Sequence, residues 1–249
     1  MSMEQQRTFP VTLESWGWTE QGDREENQDS YLNWAGHLLW AVADGVGGGS
    51  HGGTASKAVM HVLLRTPAPS SLDDHIAAVK SRLNIANQIF VEQKTATNQL
   101  TASTVVALLM YEGEAACLWA GDSRCYLLRG GMLYQCTRDH TLRQEKIDNG
   151  ELTVSEAHRM VRGNIITNAI GVQNPLRLEI EKFSVRAGDR FFLCTDGVNG
   201  VLSHDALITY LSRPTAKECV DDLAASLAEE TKPDNITFVA IFVSDLGGA

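Results

Sequence analysis

STVVALLMYEGEAACLWAGDSRCYLLRGGMLYQCT, residues 103–137, alternates apolar runs with very short breaks. Thr104–Tyr111, Ala115–Ala120, Cys125–Arg129 and Met132–Thr137 read as strands, and Glu112-Gly113 and Gly130-Gly131 have turn chemistry. Links this tight predict antiparallel neighbours, because parallel ones need a long crossover.

Working outward, Val11–Thr19, Tyr31–Trp34 and His37–Ala43 also read as strands, the last ending in Asp44-Gly45 before a glycine-rich loop, Gly47–Gly53. Thr54–Arg65 and Ser71–Lys94 read as helices. The second has Ser71 as N-cap, Asp73 and Asp74 in its first turn, and Ile76, Leu83, Ala86 and Phe90 along one face. Beyond the opening stretch, Thr141–Arg162 is polar and predicted to be helical in pieces. Leu178–Val185 and Arg190–Thr195 follow as strands, the second again ending in Asp-Gly. Helices at Ser203–Leu211 and Thr215–Glu230 precede an almost unbroken apolar strand, Ile236–Val243, entered through Pro233-Asp234-Asn235.

Helices grouped between runs of hairpin-linked strands predict an α+β fold, a four-layer α-β-β-α sandwich of two packed antiparallel sheets flanked by helices. No repeat or linker divides the chain, so residues 1–249 are expected to form one domain. With 43% hydrophobic and 21% charged residues it can bury a substantial core.

Acidic residues outnumber Lys and Arg by 31 to 21, giving a formal charge of −10. That balance argues against nucleic-acid and anionic-membrane partners. No apolar run is long enough for a signal peptide or a membrane span, and a cytoplasmic location is expected. The five cysteines, Cys117, Cys125, Cys136, Cys194 and Cys219, lack C-x-x-C spacing and are expected to be reduced core residues.

Four aspartates share one placement. Asp44, Asp122 and Asp196 follow apolar strands, and Asp234 precedes one. In antiparallel sheets one strand's exit lies beside its neighbour's entrance, so these carboxylates can converge on one edge, where their repulsion calls for a cation. Carboxylates without a Cys/His cluster suit hard ions, Mg²⁺ or Mn²⁺. Two such ions outweigh the charge of Asp44, Asp196 and Asp234 and leave a pocket attractive to phosphate. Glycine after Asp44 and Asp196 lets the backbone approach a metal closely, although Asp-Gly is also an ordinary turn.

Arg24-x-x-Asn27-Gln28-Asp29, VADGVGG around Asp44-Gly45, GDSR at Gly121–Arg124, TRDHT at Thr137–Thr141, TDGV around Asp196 and Asp234-Asn235 occur in the order found in the PP2C-like metal-dependent protein phosphatases. The chain resembles the bacterial branch of that family over nearly its whole length. The resemblance implies a serine/threonine protein phosphatase in which water attacks a phosphomonoester in line, without a phosphoenzyme. It implies two catalytic Mn²⁺ or Mg²⁺ ions, with Asp44 bridging, the Gly45 carbonyl on one ion, and Asp196 and Asp234 on the other. Asp122 with Asp196 would form a third, weaker site, and Arg24 would clamp the phosphate, for which its planar, permanently charged fork is suited. Asp29 would orient water at the ions, Asn27 would fix its loop, and Asn235 would support Asp234. Ser123, Arg124 and His140 are expected to support the fold, and Thr141–Arg162 to form a flap beside the site. A phosphoprotein substrate of a cognate serine/threonine kinase and a monomeric state complete the expectation.

Two positions depart from the family pattern: Gln28 stands where Glu is common, and Val46 where many eukaryotic members carry His. His51 in the glycine-rich loop is the nearby alternative acid and reads more simply as a loop residue. Three rivals remain: a dinucleotide-binding loop at Gly47–Gly52, a metal-dependent nuclease, and an inactive phosphoprotein-binding relative. The first is weakened by the two successive helices that follow it, the second by the acidic balance and the third by the full set of aspartates.

Overall fold

A computed structural model of the chain describes residues 11–46, 51–161, 165–228 and 230–245. Gly47–Ser50 of the glycine-rich stretch, Arg162 at the flap's end and the first ten residues lie outside them, as does the side chain of His51. The strands are β1 (Val11–Glu20), β2 (Asp29–Trp34), β3 (Leu39–Val46), β4 (Ala102–Ser103), β5 (Val105–Tyr111), β6 (Glu114–Ala120), β7 (Arg124–Arg129), β8 (Met132–Gln135), β9 (Glu179–Ser184), β10 (Arg190–Cys194) and β11 (Ile236–Asp245). The helices are α1 (His51–Leu63), α2 (Leu72–Thr97), α3 (Leu142–Asp148), α4 (Val154–Met160), α5 (Asp196–Val201), α6 (His204–Leu211) and α7 (Ala216–Ala228).

One sheet has the order β1-β11-β10-β7-β8 and the other β2-β3-β5-β6-β9, with the short β4 on β3. Every ladder is antiparallel, as the hairpin spacing predicts. Three apolar layers explain why the strands are apolar on both faces. Along β11, Val239, Ile241 and Val243 join Trp40, Val42, Leu108 and Phe191 between the sheets. The alternate residues Phe238, Ala240 and Phe242 meet α6 and α7. On the other side, Leu39, Ala41 and Ala43 of β3 pack under α1 and α2. Period-two alternation thus sorts each strand between an inter-sheet core and a helix-facing core, giving four layers.

Local chemistry sets several boundaries. Ser71 caps α2 by accepting from the Asp74 amide at 3.0 Å, as expected. Thr153 and Glu156 form a capping box that starts α4, so the flap is helical in two pieces. All five cysteines are free thiols, four of them buried and Cys136 partly so.

Several boundaries differ from expectation: β2 begins at Asp29, β3 starts at Leu39 and runs on through Asp44-Gly45 to Val46, and α2 continues to Thr97. Helix α1 starts at His51, three residues earlier than the pattern predicts, because Gly52 is used for contact rather than for a loop. A Cβ on Gly52 would lie 2.5 Å from the Gly45 carbonyl oxygen. The Asp196-Gly197 step likewise opens a short helix, α5, instead of a simple turn.

Candidate active site

The predicted convergence is present. β3 leaves its sheet at the end where β2 enters, and Asp29 pairs directly opposite Asp44 in that ladder. Asp44 falls on the face of β3 shared by Trp40 and Val42, at the mouth of the inter-sheet layer. Asp122 lies in the link from β6 to β7, Asp196 just past β10 and Asp234 just before β11, all at the same end. The chain therefore gathers five aspartates, one more than the placement at strand ends counts.

Their surroundings hold them in place. The Asp44 amide donates to Thr104 Oγ1 (2.9 Å), and the Asp44 carbonyl accepts from the Thr104 amide (2.8 Å) and from Ser103 Oγ (3.1 Å). Thr195 Oγ1 donates to Asp29 Oδ2 at 2.8 Å, and the Asp29 amide donates to Asn27 Oδ1 at 3.0 Å. Asn235 ties three segments together: its Oδ1 accepts from the Gln28 amide (2.8 Å), and its Nδ2 donates to the carbonyls of Gln21 (2.6 Å) and Glu26 (3.0 Å). It thus supports the loop carrying Arg24 as well as its neighbour Asp234, whose Oδ1 accepts from the Asn235 amide at 2.9 Å. Arg24 Nη2 donates to Asp234 Oδ2 at 2.7 Å, so the expected phosphate clamp and an expected ligand are an ion pair at the surface.

The electrostatics of this cluster are those of a cation site. Burial raises the Asp44 carboxyl well above its usual range, with Asp29, Asp196, Asp122 and Asp234 adding to the effect. Burial likewise raises Asp29 to about 7, with Asp196 and Asp234 contributing, and Asp122 to about 8, with Asp196 and Asp139 contributing. Both Asp122 carboxylate oxygens are buried without a partner from another residue. Orphaned buried acceptors and opposed like charges are costly, and a bound divalent ion reverses both penalties.

Among the described residues, no three His, Cys, Asp or Glu side chains already surround one point in metal-holding geometry. Asp44 faces Asp29 across the β2–β3 ladder, and Asp196, Asp122 and Asp234 are near enough to repel it. That suits Mg²⁺ or Mn²⁺, which take one or two carboxylates and complete their shells with carbonyls and water. The donor set therefore fits the expected ions.

Residues expected to support the fold do so. Arg124 makes a bidentate pair with Asp139 (2.8 and 2.6 Å) and donates to the Tyr126 hydroxyl at 3.0 Å. Ser123 Oγ lies 2.7 Å from Thr104 Oγ1, behind Asp44. His140 Nδ1 accepts from the Gly121 amide (3.1 Å) and faces the Asn168 amide nitrogen (2.9 Å), which places its ring proton on Nε2, 3.2 Å from Glu179. Thr104 and Thr195, whose hydroxyls position Asp44 and Asp29, are functional residues that the sequence pattern does not single out. Neither carries a sequence signal of that role, because the aspartates they position lie 60 and 166 residues away in the chain.

The flap, α3 and α4, stands across a cleft of about 540 Å³ from α5 and Asp234. No described helix is long and apolar enough to cross a membrane.

Residues 17–236 match the family described as protein phosphatase 2C. Over 224 residues, 89% of this chain, the sequence is 31% identical to serine/threonine protein phosphatase PstP of Mycobacterium tuberculosis, and the match spans 43% of that relative's length. The chain is also similar to the solved structure of PppA, a key regulatory component of T6SS in Pseudomonas aeruginosa, with a TM-score of 0.86 and 34% identity over 93% of this chain and 97% of that one. The PstP catalytic domain in complex with two manganese ions gives a TM-score of 0.80 at 31% identity over 94% and 100% of the two chains.

Proposed function

This chain belongs to the protein phosphatase 2C family, and from that membership we propose that it hydrolyses phosphoserine and phosphothreonine in protein substrates with two divalent cations, Mn²⁺ or Mg²⁺, held at the aspartate end of the sandwich. The observation that carries this reading is the gathering of Asp29, Asp44, Asp122, Asp196 and Asp234 from separate segments into one mutually repelling cluster. The manganese pair in the PstP catalytic domain supports it.

In this reading Asp44, the Gly45 carbonyl, Asp196 and Asp234 hold the two ions, and Asp122 with Asp196 supplies a third, weaker site. Bound there, the ions lower the pKa of water and neutralise charge on the phosphoryl oxygens. Arg24 binds the phosphate through its guanidinium fork, and leaving Asp234 for the ligand exchanges one anion for another. Asp29, fixed by Thr195 and by the Asn27 loop, orients the attacking water. No side chain carries the phosphoryl group, so the phosphomonoester is cleaved in line and in one displacement. Gln28 contributes no charge where relatives commonly have Glu, which weakens one ion's hold, and Val46 provides no acid. The leaving group therefore takes its proton from water or from elsewhere. Residues 1–249 act as one catalytic unit, cytoplasmic and monomeric, opposing a serine/threonine kinase in signalling.

The test is phosphate release from a phosphothreonine peptide with Mn²⁺ and with EDTA. Turnover that needs Mn²⁺ supports the reading. Inactivity of folded, Mn²⁺-loaded protein would favour the alternative, a phosphoprotein-binding module of the same fold.

A further inference from the structure

The cleft between the flap and α5 has walls of different character. Asp196 and Asp234 bound it on the sandwich side, and Asp234 is also the partner of Arg24, so the cleft is continuous with the phosphate clamp. Ile147 and Val154 give the flap wall an apolar surface, and Arg143 and His158 give it basic heads. Of the two arginines that line the cleft among the described residues, Arg124 is neutralised by its bidentate pair with Asp139. Arg143 instead makes a single 3.3 Å hydrogen bond to the Val161 carbonyl, with its Nε buried and unpartnered, and it has no ion pair among the described residues. A separate groove, formed by the 21–27 loop and α1, has the opposite balance, with Glu25 and Glu26 against Lys57.

We propose that the flap cleft receives the substrate residue flanking the phosphorylated one, and that Arg143 selects a carboxylate side chain there. This rests on the phosphatase reading above. With Nε buried, it is the Nη groups of Arg143 that offer paired donors to a carboxylate, and the apolar flap surface covers the stem of a Glu or Asp side chain. An acid on the other side of the phosphoresidue would meet Glu25 and Glu26, so the preference is one-sided.

The experiment compares kcat/KM for phosphothreonine peptides carrying Glu, Ala or Lys on either side of the phosphoresidue, using wild type and Arg143→Glu, with p-nitrophenyl phosphate as a substrate too small to reach the flap. The expected result is an approximately fivefold preference for Glu over Lys on one side only, the size of a solvent-open ion pair. Arg143→Glu should invert it while leaving the p-nitrophenyl phosphate rate unchanged. Equal p-nitrophenyl phosphate rates with no preference, or with a preference that Arg143→Glu leaves intact, would overturn the cleft assignment alone. Loss of p-nitrophenyl phosphate turnover in folded, Mn²⁺-loaded wild type would overturn the phosphatase reading and this inference together.

Discussion

The same dipeptide occurs at Asp44-Gly45 and at Asp196-Gly197, and the fold uses it in two ways. At the first, both residues lie within strand β3, Asp44 directly opposite Asp29 and Gly45 paired with Ser103 of β4. At the second, they open helix α5. In each case glycine is required by a neighbouring backbone: a Cβ on Gly45 would lie 1.9 Å from the Gly52 carbonyl oxygen, and one on Gly197 would lie 2.0 Å from that of Asn235. The contacts differ in extent, because a Cβ on Gly45 would also meet the carbonyl carbon and Cα of Gly52 within 2.7 Å, whereas beyond the Asn235 oxygen one on Gly197 would meet nothing closer than 3.1 Å. A dipeptide that reads as a turn therefore marks close packing of two segments beside a carboxylate, and secondary structure is the lesser part of its meaning.

The largest separation between the two steps is expected in catalysis. Asp44→Asn should lower kcat/KM for a phosphothreonine peptide by about a thousandfold or more, and Asp196→Asn by less, since Asp44 is assigned to both ions. Equal losses would remove the bridging distinction. The same Asp44→Asn variant should be more stable than wild type in EDTA. The folded state raises the Asp44 carboxyl well above its unfolded value, so at any pH above that unfolded value the acid costs stability, a cost the neutral amide does not carry. Thermal melts should show the order reversing when Mn²⁺ is added, because wild type gains more from the ions.

Backbone crowding gives the next effect. Gly45→Ala should cost about 3 kcal/mol, and Gly197→Ala about 1–2 kcal/mol, by urea unfolding. A larger loss at Gly197 would invert the reading of the two contacts. The smallest expected change is Thr195→Val, which removes the hydroxyl donor to Asp29 and should cost about 1 kcal/mol, with a modest loss of turnover.

Much of this was legible in the chain. Hairpin links at Glu112-Gly113 and Gly130-Gly131 dictate antiparallel sheets, and the double-sided apolar β11 dictates burial between layers. Asp44, Asp122, Asp196 and Asp234 could be placed at one edge because strand ends are readable. The cross-strand pairing of Asp29 with Asp44 could not, since register depends on how β2 meets β3 and not on local pattern. The early start of α1 and the existence of α5 were hidden for a related reason: glycine's low helix propensity is overridden where a helix must press on a neighbouring backbone. The hydroxyls of Thr104 and Thr195 gave no signal, because their partners are distant in sequence. That Arg143 has no ion pair among the described residues is visible only once Asp139 is seen to be committed to Arg124.

The two-ion assignment is tested most directly by Mn²⁺ titration calorimetry of wild type, Asp196→Asn and Asp44→Asn. Two catalytic ions are expected in wild type, weakened binding of one in Asp196→Asn, and weakened binding of both in Asp44→Asn. Unaltered Mn²⁺ binding by a folded Asp44→Asn protein would contradict it.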